Sequence, residues 1–224
     1  MVSNNNLIPH SPNNKAIACL HPLWHAVPPS GAHFNVNESN AEIKLVHLRM
    51  NSHLAGFEFC YAIVERLLAK YEQLSFSYYS NQLLMGELDH HPRVNRKKVM
   101  RWAKYKKYFK RFTIAEQCYH LALYPIVDTP INNSRSINKI LETSLVGCAG
   151  VYSDSWNYAQ YIQHGTNGLS LNNSVELWID EISRLIDPPD ALQALYQGSV
   201  TNFHQLNSHQ EQKRFWQQHF VGVV

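Results

Sequence analysis

The fold of this 224-residue chain is decided by the stretch QCYHLALYPIVDTPINNSRSINKILETSLVGCAGVYSD (Gln117–Asp154). Its first part, Gln117–Pro125, is a mostly apolar run that ends at a proline, which predicts a strand. Ser136–Val146 has the pattern of a helix that stops at Gly147. Cys148–Asp154 is a second apolar run of strand length. The stretch therefore predicts a strand, a helix and a second strand in succession.

The same alternation continues on both sides of this stretch. Upstream, Ile43–Arg49 and Leu74–Ser80 predict buried strands. Between them Phe57–Glu72 has apolar residues three or four apart, which predicts an amphipathic helix. The pattern predicts a short strand over residues 168–172 and further helices over Met100–Phe112, Asn157–Gln163, Val175–Ile186, Ala191–Phe203 and Gln210–Phe220. Strands joined by helical crossovers pair in parallel, so we predict an α/β fold with a doubly wound, Rossmann-like parallel sheet and extra C-terminal helices.

The composition is that of a folded globular protein. Hydrophobic residues make up 45% of the chain and charged residues 17%, which excludes a mostly disordered protein and a coiled coil. The four cysteines lie far apart and three of them fall in apolar runs, so we expect reduced thiols that pack as small hydrophobic groups. No stretch has the length of a membrane span, and the N-terminus lacks a signal-peptide pattern. We therefore expect a cytoplasmic protein.

Basic residues are concentrated in one segment. Arg93–Arg111 contains ten of the 20 lysines and arginines and no acidic residue. Three interpretations stay open: a solvated helix face, which we favour, contact with an anionic membrane surface, and nucleic-acid binding. Each basic residue near an anionic membrane contributes about 1 kcal/mol, so the protein would then be peripheral to the inner face of the membrane. Nucleic-acid binding is the least favoured, because the segment carries no recognised motif.

The loop and helix after the Gln117–Pro125 strand carry the candidate binding residues. In a doubly wound sheet, ligands lie beyond the carboxyl ends of the strands at the switch point. Asn132, Asn133, Ser134 and Ser136 are side chains that cap helices, and we expect them at the start of this helix. Because a helix start presents N–H groups and the positive end of its dipole, a diphosphate is its natural ligand.

Three charged side chains add to this prediction. Arg135 and Lys139 are four residues apart, and both could form charge-assisted contacts with phosphate oxygens. Glu142 follows Lys139 by three residues and so shares its helix face, where it could accept hydrogen bonds from two hydroxyls of a ribose. None of the 13 histidines has metal-ligand spacing beside cysteines or acids, so we expect no metal site.

Two motifs resemble a known family. The run N-N-S-R-S-x-x-K-x-L-E-x-x-x-x-G (residues 132–147) is followed by S-D-x-x-x-Y-x-x-x-I-x-x-G-x-N-G (residues 153–168). Together they resemble the carboxy-terminal, donor-binding domain of GT-B-fold glycosyltransferases, closest to family four, the retaining nucleotide-sugar enzymes of glycosyl transferase group 1. The resemblance implies a single carboxy-terminal half of a GT-B fold, without a tightly bound metal and without a cofactor.

The resemblance also implies roles for individual residues. It implies that Glu142 binds the donor ribose and that Arg49, after the first strand, contacts phosphate. His53 lies where the family often places donor contacts. The loop and helix start that would hold the diphosphate contain Asn133, Ser134, Arg135, Ser136 and Lys139.

The chain departs from the family pattern at three places. Ser134 stands where the family has the first of two glutamates, Leu54 stands where it usually has a lysine, and Gly56 stands where related sequences have an acid. The family enzymes also have two such domains, and Pro28–Phe34 resembles the linker between them. We therefore expect either that a separate acceptor-domain protein supplies the missing half or that the chain is a donor-binding remnant.

The resulting prediction has three regions and two functions. We predict a polar tail and linker remnant over residues 1–40, a nucleotide-sugar-binding domain over 41–190 and C-terminal helices over 191–224. The favoured function is the donor-binding half of a retaining glycosyltransferase acting on a glycan or glycolipid. The alternative is a non-catalytic interaction or membrane-surface protein that uses the basic segment. Phe215, Trp216 and Phe220 favour a homodimer through the last helix if no partner chain covers them.

Overall fold

The computed structural model describes residues 27–34, 42–48, 54–98, 119–133, 135–188 and 190–220. The strands are β1 (Ile43–His47), β2 (Leu74–Tyr79), β3 (Val94–Lys97), β4 (Leu121–Tyr124), β5 (Ala149–Ser153) and β6 (Leu169–Leu171). The α-helices are α1 (Leu54–Lys70), α2 (Pro130–Asn133), α3 (Asn138–Leu145), α4 (Val175–Ile186), α5 (Ala191–Leu206) and α6 (His209–Phe220). Short 3-10 helices cover Ala32–Phe34, Gly86–His90 and Asn157–Tyr161. The predicted helix Met100–Phe112 and the candidate residues Arg49, His53 and Ser134 lie outside the described residues.

The described strands form one parallel sheet in the order β3-β2-β1-β4-β5-β6. The chain starts in the middle of the sheet, builds outward to β3, and then returns to add β4 on the other side of β1. The switch point therefore lies between β1 and β4, where Leu45 is opposite Leu121. This arrangement confirms the predicted doubly wound, Rossmann-like fold.

The two central strands are buried on both faces, which is why their sequences read as continuous apolar runs. On one face Leu45, Leu121 and Leu123 pack in a core that includes side chains of α1 and α4. On the other face Val46 and Tyr124 pack in a second core with residues of α3 and α5. Because successive residues of a strand point to opposite faces, β1 and β4 each contribute to both cores. The helices consequently form a layer on each side of the sheet.

One strand and one α-helix were not predicted from the sequence. In β3 only Val94 is buried, because an edge strand pairs on one side and its polar residues do not form an apolar run. The short helix α2 occupies residues that we had interpreted as a loop. As a consequence α3 begins at Asn138 and not at Ser136.

Helix α5 packs directly on the domain. The Ser144 and Ser199 hydroxyl oxygens are 2.6 Å apart, which joins α3 to α5. A Cβ atom added to Gly198 would overlap the carbonyl oxygen of Thr166, so the absence of a side chain lets α5 lie against the turn before β6. The proposed division of the chain at residues 40 and 190 remains a prediction.

Other expectations concern single residues and helices. Cys60 and Cys148 are buried free thiols, as expected, while Cys19 and Cys118 lie outside the described residues. On α6, Trp216 is 41% exposed. Among the helices that the structure describes, none combines the length and apolar character needed to cross a membrane.

Arg93 has a structural role that its place in the basic segment did not indicate. Its guanidinium donates hydrogen bonds to the carbonyl oxygens of Leu68, Tyr71, Glu72 and Leu74, at 2.7, 2.6, 3.0 and 3.0 Å. These carbonyls lie in the last turn of α1, in the connection after it and at the start of β2, and the last carbonyls of a helix have no N–H partner within the helix. The interpretation of the whole segment as a solvated helix face is therefore wrong for Arg93.

A partly buried hydrogen-bond network connects the loops at the carboxyl edge of the sheet. The Ser153 hydroxyl accepts a hydrogen bond from the Ile126 amide at 2.8 Å and donates one to Asn173 Oδ1 at 2.6 Å. Asn173 Nδ2 in turn donates to the Ile126 carbonyl at 2.8 Å. The loops that follow β4, β5 and β6 are thus tied together next to the switch point.

Replacing Arg93 by alanine is expected to lower the free energy of unfolding by about 2 kcal/mol or more, because partly buried carbonyls lose a charged donor. Urea denaturation measures the change. Arg66→Ala is the control, since Arg66 forms an exposed ion pair with Glu176 at 3.1 Å and should cost less than about 1 kcal/mol. Equal losses in the two variants would contradict the structural role.

Replacing Ser153 by alanine is expected to cost about 1–3 kcal/mol, because the Ile126 amide loses its partner inside the protein. Hydrogen exchange should then show faster exchange of that amide. Thr201→Ala is the matched control, since its exposed hydroxyl bonds only to a carbonyl of its own helix. Unchanged exchange at Ile126 would show that the network does not hold this loop.

Candidate functional site

The start of α3 lies at the switch point, where the sequence places its candidate binding residues. Among the described residues, no side chain caps the first turn of α3, and Ile137 stands at the N-cap position. We had expected Asn132, Asn133, Ser134 and Ser136 to cap this helix. That expectation is wrong for Asn132 and Asn133, because α2 intervenes and α3 begins farther along the chain. The helix start consequently keeps its dipole and its first N–H groups available to a ligand.

Asn132 and Asn133 instead shape the loop before α3. Asn132 Nδ2 donates a hydrogen bond to the Val127 carbonyl at 2.8 Å, and Asn133 Nδ2 donates to Asp128 Oδ1 at 2.7 Å. Arg135 Nε donates to Asn132 Oδ1 at 2.9 Å. These bonds close the loop on itself and hold Arg135 just ahead of α3.

Arg135 is in the connection before α3 and not in the helix, so Arg135 and Lys139 do not lie one turn apart on α3. Burial lowers the pKa of Arg135 below its ordinary value. An anion beside the guanidinium would favour its charged form and oppose this effect of burial. Ser136 follows it in the same connection and is partly buried.

Lys139 and Glu142 form an ion pair on one face of α3, as their spacing predicted. The Glu142 side chain is 9% exposed, whereas that of Lys139 is 30% exposed. Lys139 Nζ also donates a hydrogen bond to the carbonyl oxygen of Leu48 at 3.2 Å. Because Leu48 directly follows β1, this bond places the ion pair at the carboxyl end of β1, inside the crevice.

Tyr124 adds an aromatic ring that sequence reasoning did not single out. Lys139 Nζ lies 5.9 Å from the centroid of this ring, which stacks on Tyr152 with centroids 5.4 Å apart. Burial, and to a lesser degree the negative charge of Glu142, raises the pKa of Tyr124 well above its ordinary value. The position of Tyr124 as the last residue of β4 was the signal available in the sequence.

The structure therefore brings some of the candidate binding residues close together. The open start of α3, Arg135, Lys139 and Glu142 lie along one short segment, and the ion pair contacts the end of β1. Asn133 and Ser136 belong to the loop that leads into this helix. The roles of Arg49, His53 and Ser134 stay predictions, because these residues lie outside the described part of the chain.

The arrangement suits an anionic ligand that also carries hydroxyl groups. The helix start and Arg135 offer donors and positive charge, which phosphate oxygens accept. The carboxylate of Glu142 is a hydrogen-bond acceptor for hydroxyls. Among the residues that the structure describes, no group of three or more His, Cys, Asp or Glu side chains could hold a metal ion.

Comparisons with known proteins find structural but not sequence relatives. No protein-family model matches the chain, and no curated protein matches it. A mutant of S. aureus TarM, in complex with fondaparinux, α-GlcNAc-glycerol and UDP, superposes with a TM-score of 0.67 at 13% identity, over 96% of this chain and 41% of that one. Anabaena HepE in complex with UDP and glucose gives a TM-score of 0.65 at 12% identity, over 96% of this chain and 61% of that one.

A third match is a single domain. The C-terminal domain of the glycosyl transferase group 1 family protein LpcC from Francisella tularensis gives a TM-score of 0.55 at 10% identity, over 80% of this chain and 94% of that one. The chain thus spans about two fifths of TarM and about three fifths of HepE but nearly all of the LpcC domain. At these identities the likeness concerns the fold. This chain has the fold of the carboxy-terminal half of a GT-B glycosyltransferase, as its sequence motifs implied.

Proposed function

We propose that this chain binds a nucleotide-diphosphate sugar and is the donor-binding half of a retaining glycosyltransferase. The observation that supports this most is the Lys139–Glu142 pair, which places a nearly buried carboxylate at the switch point beside the open start of α3. A carboxylate and a helix start at this edge of a Rossmann-like sheet match the two chemical parts of a nucleoside diphosphate, its ribose hydroxyls and its phosphates.

Each residue has a role in this proposal. Glu142 accepts hydrogen bonds from the ribose hydroxyls, and the α3 N–H groups with Arg135 bind the diphosphate. Arg49, His53, Asn133, Ser134 and Ser136 complete the donor contacts. In the transfer step the cations and N–H groups stabilise the charge that develops on the departing diphosphate, which is the main way such a site would accelerate the reaction.

The structural neighbours support UDP as the first nucleotide to test. The TarM and HepE structures described above contain UDP, and that of HepE also contains glucose. Sharing their fold does not transfer their ligands, but it makes a uridine nucleotide the natural first probe.

The share of its structural neighbours that the chain spans bears on how it would act. TarM and HepE are longer than this chain, which spans 41% and 61% of them. We propose that a separate acceptor-domain protein supplies the other half, and that the glycan or glycolipid acceptor binds between the two. On this proposal the chain alone binds the donor nucleotide but requires the partner for transfer.

Calorimetric titration with UDP, GDP and ADP tests donor binding. Replacing Glu142 by glutamine is expected to weaken binding of the preferred nucleotide about tenfold, because a neutral amide replaces a charged acceptor of the ribose hydroxyls. Glu181→Gln is the matched control, since Glu181 also forms an i,i+3 ion pair, with Arg184, and its side chain is 14% exposed.

Two results would contradict the proposed function. The first is a wild-type chain that binds none of the three nucleotides at millimolar concentration. The second is a Glu142→Gln variant that binds the nucleotide as tightly as wild type and as the Glu181→Gln control.

A further inference from the structure

The Lys139 ammonium is already bonded to several groups of the protein itself. Its ammonium donates hydrogen bonds to Glu142 Oε2 and to the Leu48 carbonyl, and it also lies near the Tyr124 ring. An ammonium has three N–H donors. Two of these N–H donors are therefore bonded to protein oxygens, and the Tyr124 ring lies near the ammonium.

Glu142 depends on this lysine. A carboxylate that is taken out of water is strongly unfavourable unless a cation pairs with it. Among the residues that the structure describes, Lys139 is the one base that forms an ion pair with Glu142. Oε2 is the oxygen that bonds to Lys139, and within the same part of the chain Oε1 accepts no hydrogen bond.

The bond to Leu48 gives the lysine a second function. It connects α3 to the end of β1 across the switch point, between residues that are 91 positions apart in the sequence. The ammonium therefore contacts both the Glu142 carboxylate on its own helix and the backbone at the end of β1.

We propose that Lys139 is a positioning residue, which holds the Glu142 carboxylate against the end of β1 so that its second oxygen meets the ribose hydroxyls. This inference rests on the proposed function. It differs from the expectation drawn from the sequence, in which Lys139 itself contacts phosphate oxygens. If Lys139 acts through Glu142, its contribution to binding depends on the ribose hydroxyls and not on the diphosphate.

A nucleotide without ribose hydroxyls separates the two roles. We compare the Kd of UDP with that of 2′,3′-dideoxyuridine diphosphate, for wild type and for Lys139→Met. The variant is expected to bind UDP about tenfold more weakly and to bind the dideoxy analogue as wild type does. Equal weakening for both ligands would show that Lys139 contacts the diphosphate, and unchanged UDP binding would show that it does not position Glu142. Either result overturns the proposal.

A double-mutant cycle keeps the test decisive if Lys139→Met alone folds poorly. Lys139→Met/Glu142→Gln removes both charges together, so no unpaired carboxylate remains inside the protein. In the Glu142→Gln background, Lys139→Met is expected to change the Kd of UDP by less than about twofold, because the effects of two coupled residues are not additive. A tenfold loss in this background would mean that Lys139 acts directly on the ligand and would overturn the proposal.

Lys44→Met is the matched control. Lys44 also pairs with a glutamate, Glu42, at 3.3 Å, but it lies near the amino-terminal end of β1, away from the carboxyl edge of the sheet. This variant should leave the UDP affinity unchanged.

The experiment also distinguishes the failure of the proposed function from the failure of the positioning role. Wild type that binds no UDP, GDP or ADP contradicts the proposed function, whereas equal losses for UDP and its dideoxy analogue contradict only the positioning role.

Discussion

The parallel pairing of β1 with β4 is the constraint on which the rest of the structure depends. It places Leu45 beside Leu121 and so brings together two strand ends that are far apart in the sequence. Once these ends are adjacent, the loop after β4 has to turn back over the sheet, and α3 starts above the gap between them. The contact of Lys139 with Leu48 exists only because of this pairing. The strand order therefore determines where the crevice lies, and the side chains determine what it can bind.

The ion pair in that crevice is not explained by stability. Removing a carboxylate from water costs several kcal/mol, and the attraction of its partner compensates for little more than this cost. Apolar residues of similar size at these two positions would extend the core that already contains Ile140 and Tyr124. The position of the pair at the carboxyl edge of the sheet is what the proposed ligand binding would explain. By contrast, the Arg93 guanidinium bonds to backbone carbonyls between the last turn of α1 and the start of β2, which is a role in folding.

The sequence was sufficient for those parts of the fold that depend on local pattern. The central strands are buried on both faces and read as apolar runs, and Val175–Ile186 was predicted with the bounds that the structure has. The edge strand β3 was missed because one buried residue gives no pattern. In the site, the spacing of Lys139 and Glu142 sufficed to place them on one face. Their contact with the end of β1, the interruption by α2 and the role of Arg93 depend on contacts between distant segments, which spacing does not contain.

The close approach of Gly198 to a neighbouring turn affects where α5 and α3 lie on the sheet. Because α5 rests there on the carbonyl of Thr166, any side chain at this position would lift the helix away from the sheet. The same helix holds α3 through the hydroxyls of Ser144 and Ser199, and α3 carries the acid and its counter-ion. A methyl group at Gly198 would thus displace α5, and through α5 it would displace α3. The position of the Lys139–Glu142 pair therefore depends on how closely two helices and a turn approach each other.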